Sequence, residues 1–170
     1  KMARISFEEL PDHGRLWIFP CSRALSGREA EISIDTVHSF LDDWKAHGVP
    51  LRCAGELRDS RFLIVGVDVD SELPSGCSID ALVNQLRTLG SDIGVSLVDH
   101  APVWYREGTD IRSVSRSQFR ALAGAGTVTL ATKVFDTSLT RIHDLRSGDL
   151  ERPASDMWHG RVFFRDQVTA

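Results

Sequence analysis

A chain of 170 residues with 42% hydrophobic content is long enough to bury a substantial core and short enough to form a single domain over residues 1–170. Its net charge of −4 comes from scattered acids, which argues against a polybasic membrane or nucleic-acid surface. No apolar run approaches the roughly 20 residues that cross a bilayer. The N-terminus shows no basic-then-apolar signal pattern, and Cys21, Cys53 and Cys77 are widely spaced with no CxxC pair. Reduced thiols and a soluble, cytoplasmic protein are therefore expected, with no membrane contact. Only Lys1, Lys45 and Lys133 among the 20 basic residues are lysine. Genomic base composition accounts for that bias, and bidentate arginine contacts to carboxylates or phosphates are the sharper alternative.

In chain order, Ser6–Leu10 reads as a short turn or helix ended by Pro11 and lying as a lid on a sheet edge. Arg15–Phe19 is a strand with two apolar faces, stopped by Pro20. Ile34, Val37, Leu41 and Trp44 recur at helical spacing, with Ile32 and Phe40 widening the stripe and Gly48 and Pro50 ending the helix. Leu51–Leu57 is the second strand, and Arg58-Asp59-Ser60-Arg61 turns it into Phe62–Val67. That third strand has no polar face, so it should be central and covered on both sides. Ile79, Leu82, Val83, Leu86 and Leu89 form a second helical stripe, closed by Gly90 or Gly94. A fourth strand is expected in Val95–Val98, Val103–Tyr105 or both. A helix carrying Phe119 and Leu122, a strand over Thr127–Phe135, and a hairpin in preference to a helix over Thr137–Leu145 follow. Pro153–Phe164 is too apolar for free solvent and should dock.

Residues 15–107 thus follow the order of a ferredoxin-like βαββαβ core, and residues 108–170 form a helix and β-hairpin extension packing on it, an α+β protein. In such a unit both helices cover one face of the sheet. The opposite face is also apolar here, so the C-terminal third must fold across it, or a second copy must pack there as a homodimer, or a ligand must.

Cys77 sits in Ser75-Gly76-Cys77-Ser78-Ile79-Asp80, at an expected helix N-terminus where the dipole and free N–H groups favour a thiolate. As a nucleophile it would be oriented by Ser78 and Asp80 and served by His47 or His100 as base. The plainer reading makes Ser75, Cys77 or Ser78 the N-cap and Asp80 its capping partner. The same turn resembles a general anion site, with Gly76 and helix N–H groups aided by Arg52, Arg58 or Arg61. Asp68, Asp70 and Glu72 would oppose a phosphate there, and are better read as a solvated loop than as oxygen ligands for a divalent cation. The six histidines fall in no HExxH or HxH pattern, so no metal is expected, and no cofactor motif such as GxGxxG or GxSxG is present. Aromatics on the first and third strands faintly suggest RNA stacking; core burial explains them better, and no nucleic acid is expected.

Phe7-Glu8-Glu9-Leu10-Pro11, Arg15-Leu16-Trp17-Ile18, Trp44-Lys45-Ala46-His47-Gly48, Arg61-Phe62-Leu63, Gly76-Cys77-Ser78-Ile79-Asp80 and Val134-Phe135-Asp136 together resemble a family of small uncharacterised bacterial proteins often labelled ABC transporter ATPases. The label implies ATP hydrolysis, for which neither Lys45 nor Lys133 follows a glycine as a P-loop lysine must. The resemblance implies no other chemistry. A non-enzymatic binding or interaction module is the leading expectation, with a thiol enzyme or a protein binding a small phosphate-like anion as alternatives.

Overall fold

The computed structural model describes residues 4–167. Its first half contains β1 (Arg15–Pro20), α1 (Gly27–Asp42), β2 (Lys45–Ala46), β3 (Val49–Pro50), β4 (Cys53–Arg58), β5 (Phe62–Val67) and α2 (Gly76–Ile93). The second half contains β6 (Val103–Glu107), β7 (Asp110–Val114), α3 (Arg116–Gly124), β8 (Lys133–Phe135), α4 (Ile142–Arg146), β9 (Glu151–Pro153) and α5 (Trp158–Phe163). The strands form antiparallel sheets in the orders β1-β5-β4 and β7-β6-β8-β9, with β2 and β3 as a small separate hairpin. Among the described residues, no helix is long and apolar enough to cross a membrane.

Every side chain of β5 is buried, as a strand without a polar face requires. On one face Leu63, Val65 and Val67 meet Val37 and Leu41 of α1 and Leu82 and Leu86 of α2. On the other, Phe62 and Ile64 meet Trp104 of β6, Phe135 of β8 and Ile142 of α4, with Leu10 sealing the margin. The Phe62 and Phe135 rings lie 5.0 Å apart, centre to centre, and join the two sheets. Alternate residues of the second sheet, Val103, Tyr105 and Val134, face Phe119 of α3 and Phe163 of α5. The result is four layers: helices, sheet, sheet, helices. Of the three covers expected for the second face of the first sheet, the C-terminal third, a second copy or a ligand, the first is found.

Several elements differ from the sequence expectation. The β1-β5-β4 order, with α1 and α2 on one face, keeps three strands of the βαββαβ unit, but no fourth joins them. Val103–Glu107 pairs in the other sheet, and Val95 and Leu97 are buried in an irregular segment. The ferredoxin-like arrangement is therefore not completed among the described residues. α1 starts earlier than the apolar stripe, at a Ser26/Glu29 capping box, and ends at Asp42, before Trp44. Ile32 is 37% exposed and outside the stripe. Gly48 and Pro50 do not end α1 but belong to the β2–β3 hairpin, whose turn places His47 and Gly48 at φ 52° and 76°. Thr137–Leu145 holds α4 and no hairpin, because Ile142 and Leu145 must reach one buried face. Apolar periodicity assigns no element to Asp110–Val114, which forms β7. The tail docks as expected, with Met157, Phe163 and Phe164 buried.

Ile142 is fully buried against the second face of the first sheet, so Ile142→Ala should cost about 2–5 kcal/mol in urea unfolding, whereas a loss below about 1 kcal/mol would contradict this cover. His159 is 2% exposed, stacked on Trp158 with ring centres 3.9 Å apart, and its Nδ1 has no partner among the described residues. Burial pushes its pKa down to about 4, outweighing Asp136, which raises it. The unfolded chain, with histidine near 6.5, then binds more protons across the window from about 6.5 to 4. Stability should fall as pH drops through that window, by up to about 3 kcal/mol from this residue. His159→Phe should flatten this part of a Tm-against-pH profile; an unchanged profile would contradict a neutral buried imidazole.

Candidate functional site

The structure does not bring the expected thiol site together through any hydrogen bond or ion pair among the described residues. Cys77 is exposed at the second residue of α2, whereas Cys21 and Cys53 are buried. Ser75 is the N-cap: its hydroxyl accepts from Ser78 N–H at 3.1 Å, and Ser78 Oγ accepts from Ser75 N–H at 2.7 Å. Ser78 is thus committed to the cap, and Asp80, exposed a full turn into the helix, is not the capping partner. Tryptophan 44 ties the chain before His47 to this helix start, its indole N–H donating to Ser78 O at 2.8 Å. His47 itself occupies an exposed turn. His100 serves the free edge of β1, its Nε2 lying 2.8 Å from Ile18 O.

The arginines expected beside Gly76 also separate. Arg52 approaches Asp68 at 3.4 Å and Glu9 at 3.9 Å, and Arg58 pairs with Glu56 at 2.9 Å. Asp70 meets His13 Nε2 at 2.6 Å, and its N–H donates to Asp68 Oδ1 at 3.0 Å, so this acidic loop is held by its own neighbours. Among the described residues, no cluster of three or more His, Cys, Asp or Glu side chains could hold a metal ion. Trp17 packs edge-on against Trp44 and Phe62 against Phe135, so the strand aromatics are committed to the interior.

Arg61 stands apart. Three residues, Asp59-Ser60-Arg61, separate the paired Arg58 and Phe62, and Asp59 and Ser60 take φ values of 57° and 53°. Arg61 N–H closes this turn on Arg58 O at 3.0 Å, while its own carbonyl accepts from Cys21 N–H at 2.7 Å. The side chain therefore begins at the end of the first sheet and crosses to the second. It donates through one terminal nitrogen to Ile111 O on the free edge of β7, and through the other to Cys21 O at 3.5 Å. Trp104 Nε1–H donates to the same Cys21 carbonyl at 3.0 Å. Arg61 is 6% exposed, its Nε has no partner among the described residues, and burial pulls its pKa down.

Arg61 lines a cleft of about 540 Å³ between the loop after β1, the β4–β5 turn and the β6–β7 hairpin. Three further arginines line it, and each has a carboxylate: Arg23 with Glu29 at 2.8 Å, Arg106 with Glu151 at 2.7 Å, and Arg112 with Glu107. The Arg23 hydrogen bonds pull Glu29 down to about 2. Arg61 has no carboxylate partner among the described residues. Of the residues singled out from sequence, Arg61 alone lines this cleft. Arg23, Arg106 and Arg112 carry no local signal beyond the arginine bias, since their convergence depends on the pairing of two sheets. No family model matches the chain, and neither a curated protein nor a solved structure matches it.

Burial pushes the Cys21 and Cys53 thiols up to about 12. In the folded protein a mild alkylating reagent at neutral pH should therefore label Cys77 and leave the other two until denaturant is added. Mass spectrometry of the labelled peptides checks this, and native labelling of Cys21 or Cys53 would contradict their burial.

Proposed function

We propose that this protein is a binding module for a small anion, taken up in the cleft that Arg61 lines. The observation that carries this reading is the contrast among the four arginines: three are matched by carboxylates, and the most deeply buried one is not. Its two hydrogen bonds go to carbonyl oxygens, which accept its protons without cancelling its charge. An unpaired buried cation costs several kcal/mol, and a bound anion would remove that cost. A guanidinium offers the forked donors that suit carboxylate and phosphate oxygens. The cleft's volume falls within the range of small-molecule sites.

The helix start at Gly76 does not share this support, since its cap is satisfied from within and Arg52 and Arg58 are paired elsewhere. No arrangement around Cys77 favours nucleophilic chemistry. Binding without turnover, with no P-loop ATPase activity, is the function the geometry supports best.

Inorganic phosphate is the simplest probe. At a concentration about a hundredfold above its Kd it should stabilise the fold by about 2.7 kcal/mol, a Tm rise of about 5–10 °C. Arg61→Met, which keeps the side chain's length and apolar stem, should unfold cooperatively and show no phosphate-dependent rise. Arg58→Gln, outside the cleft, should respond as the unsubstituted protein does. An undiminished rise in Arg61→Met would refute the assignment.

A further inference from the structure

Resting on this anion-binding reading, we infer that the bound anion is polyhydroxylated and carries no nucleobase. The remaining polar capacity of the cleft suits hydroxyl groups. Ser113 Oγ donates to Ser22 O at 2.7 Å and keeps its lone pairs for an incoming donor. Ser22 Oγ accepts from Ser96 N–H at 3.0 Å and keeps its proton for an incoming acceptor. Asp59 and Asp110 line the same cleft, and neither makes an ion pair or side-chain hydrogen bond among the described residues. Asp59 and Asp110 lie close enough to Arg106 and Arg112 to raise the pKa of each, and as carboxylates they accept from hydroxyls and repel negative charge, so the ligand should place a single anionic end at Arg61 and turn a neutral, hydroxyl-bearing body toward them.

A nucleobase lacks an aromatic face to stack on. None of the residues lining the cleft is Phe, Tyr, Trp or His, and its apolar surface is limited to small or branched aliphatic groups. Trp104, the indole hydrogen-bonded beside Arg61, is 1% exposed and has its face in the core between the sheets. Base recognition without a stacking face would forfeit about 1–3 kcal/mol. The shared chemistry is therefore that of a sugar phosphate or a sugar acid.

Isothermal titration of the full chain distinguishes the sources. Ribose 5-phosphate is compared with inorganic phosphate, D-gluconate with acetate, and AMP with ribose 5-phosphate. At least a tenfold gain in affinity for ribose 5-phosphate or for gluconate over its bare anion is expected, and whichever gains identifies the head group. AMP should bind no more tightly than ribose 5-phosphate. In Asp59→Gly/Asp110→Ala, which removes both acceptors, the gain should shrink to less than threefold. Equal affinity for the hydroxylated and bare anions, tighter binding of AMP, or a full gain in the double variant would overturn the inference. If phosphate still binds in an Arg61-dependent way, the anion-binding reading survives that failure. If none of the five compounds binds, both fall.

Discussion

A strand with no polar face must be enclosed, and β5 imposes that requirement on the whole chain. Leu63, Val65 and Val67 demand a layer on one side; Phe62 and Ile64 demand another on the opposite side. The first is supplied by the two amphipathic helices that flank β4 and β5 in sequence. The second cannot come from nearby, because the helices are already spent, so the chain returns with a second sheet. That sheet has its own outer face to cover, which α3 and α5 provide. Each layer follows from the exposed apolar surface of the one before it.

The same constraint produces the cleft. Phe62, the first residue of β5, lies against Phe135 and holds the two sheets together beside the cleft. Arg61, at the turn leading into β5, crosses between the sheets and satisfies the carbonyl of Ile111 on the outer edge of β7, the side away from β6. The Cys21 carbonyl serves as the junction, receiving both Arg61 and Trp104. A purely structural strut would need these hydrogen bonds and no charge. The charge of Arg61, without a carboxylate partner among the described residues, is what the proposed anion would meet.

Local patterns in the sequence were sufficient for the first half of the fold. The second helical stripe, the doubly apolar strand and the Arg58–Arg61 turn depend on spacing within a few residues and appear where it places them, whereas the first stripe misplaces the end of α1, which stops at Asp42 before Trp44 and the β2–β3 hairpin. The cover of the second sheet face was legible too, as an apolar face needing a partner. The allocation of Val103–Glu107 to a second sheet was not, because strand periodicity carries no information about which edge a strand will join. β7 carries little pattern for a related reason: Ile111 and Val114 are its two apolar residues, three apart rather than alternating, and the rest are polar. The site was legible only through Arg61. Cys77 has the sequence context of an activated thiol, yet the serines around it are consumed in capping α2, an outcome that depends on backbone geometry at Ser75 and Ser78.

Anion binding in the cleft requires that the Arg61 guanidinium hold a charge that no carboxylate cancels. Its Nε–H resonance, assigned in a nitrogen-15 NMR spectrum by comparison with Arg61→Met, reports on that group alone. The account predicts a saturable shift of this resonance as phosphate is added, with the Arg58 signal unmoved. An Arg61 resonance that stays fixed through the titration, while the protein remains folded, would show the side chain to be a strut and nothing more.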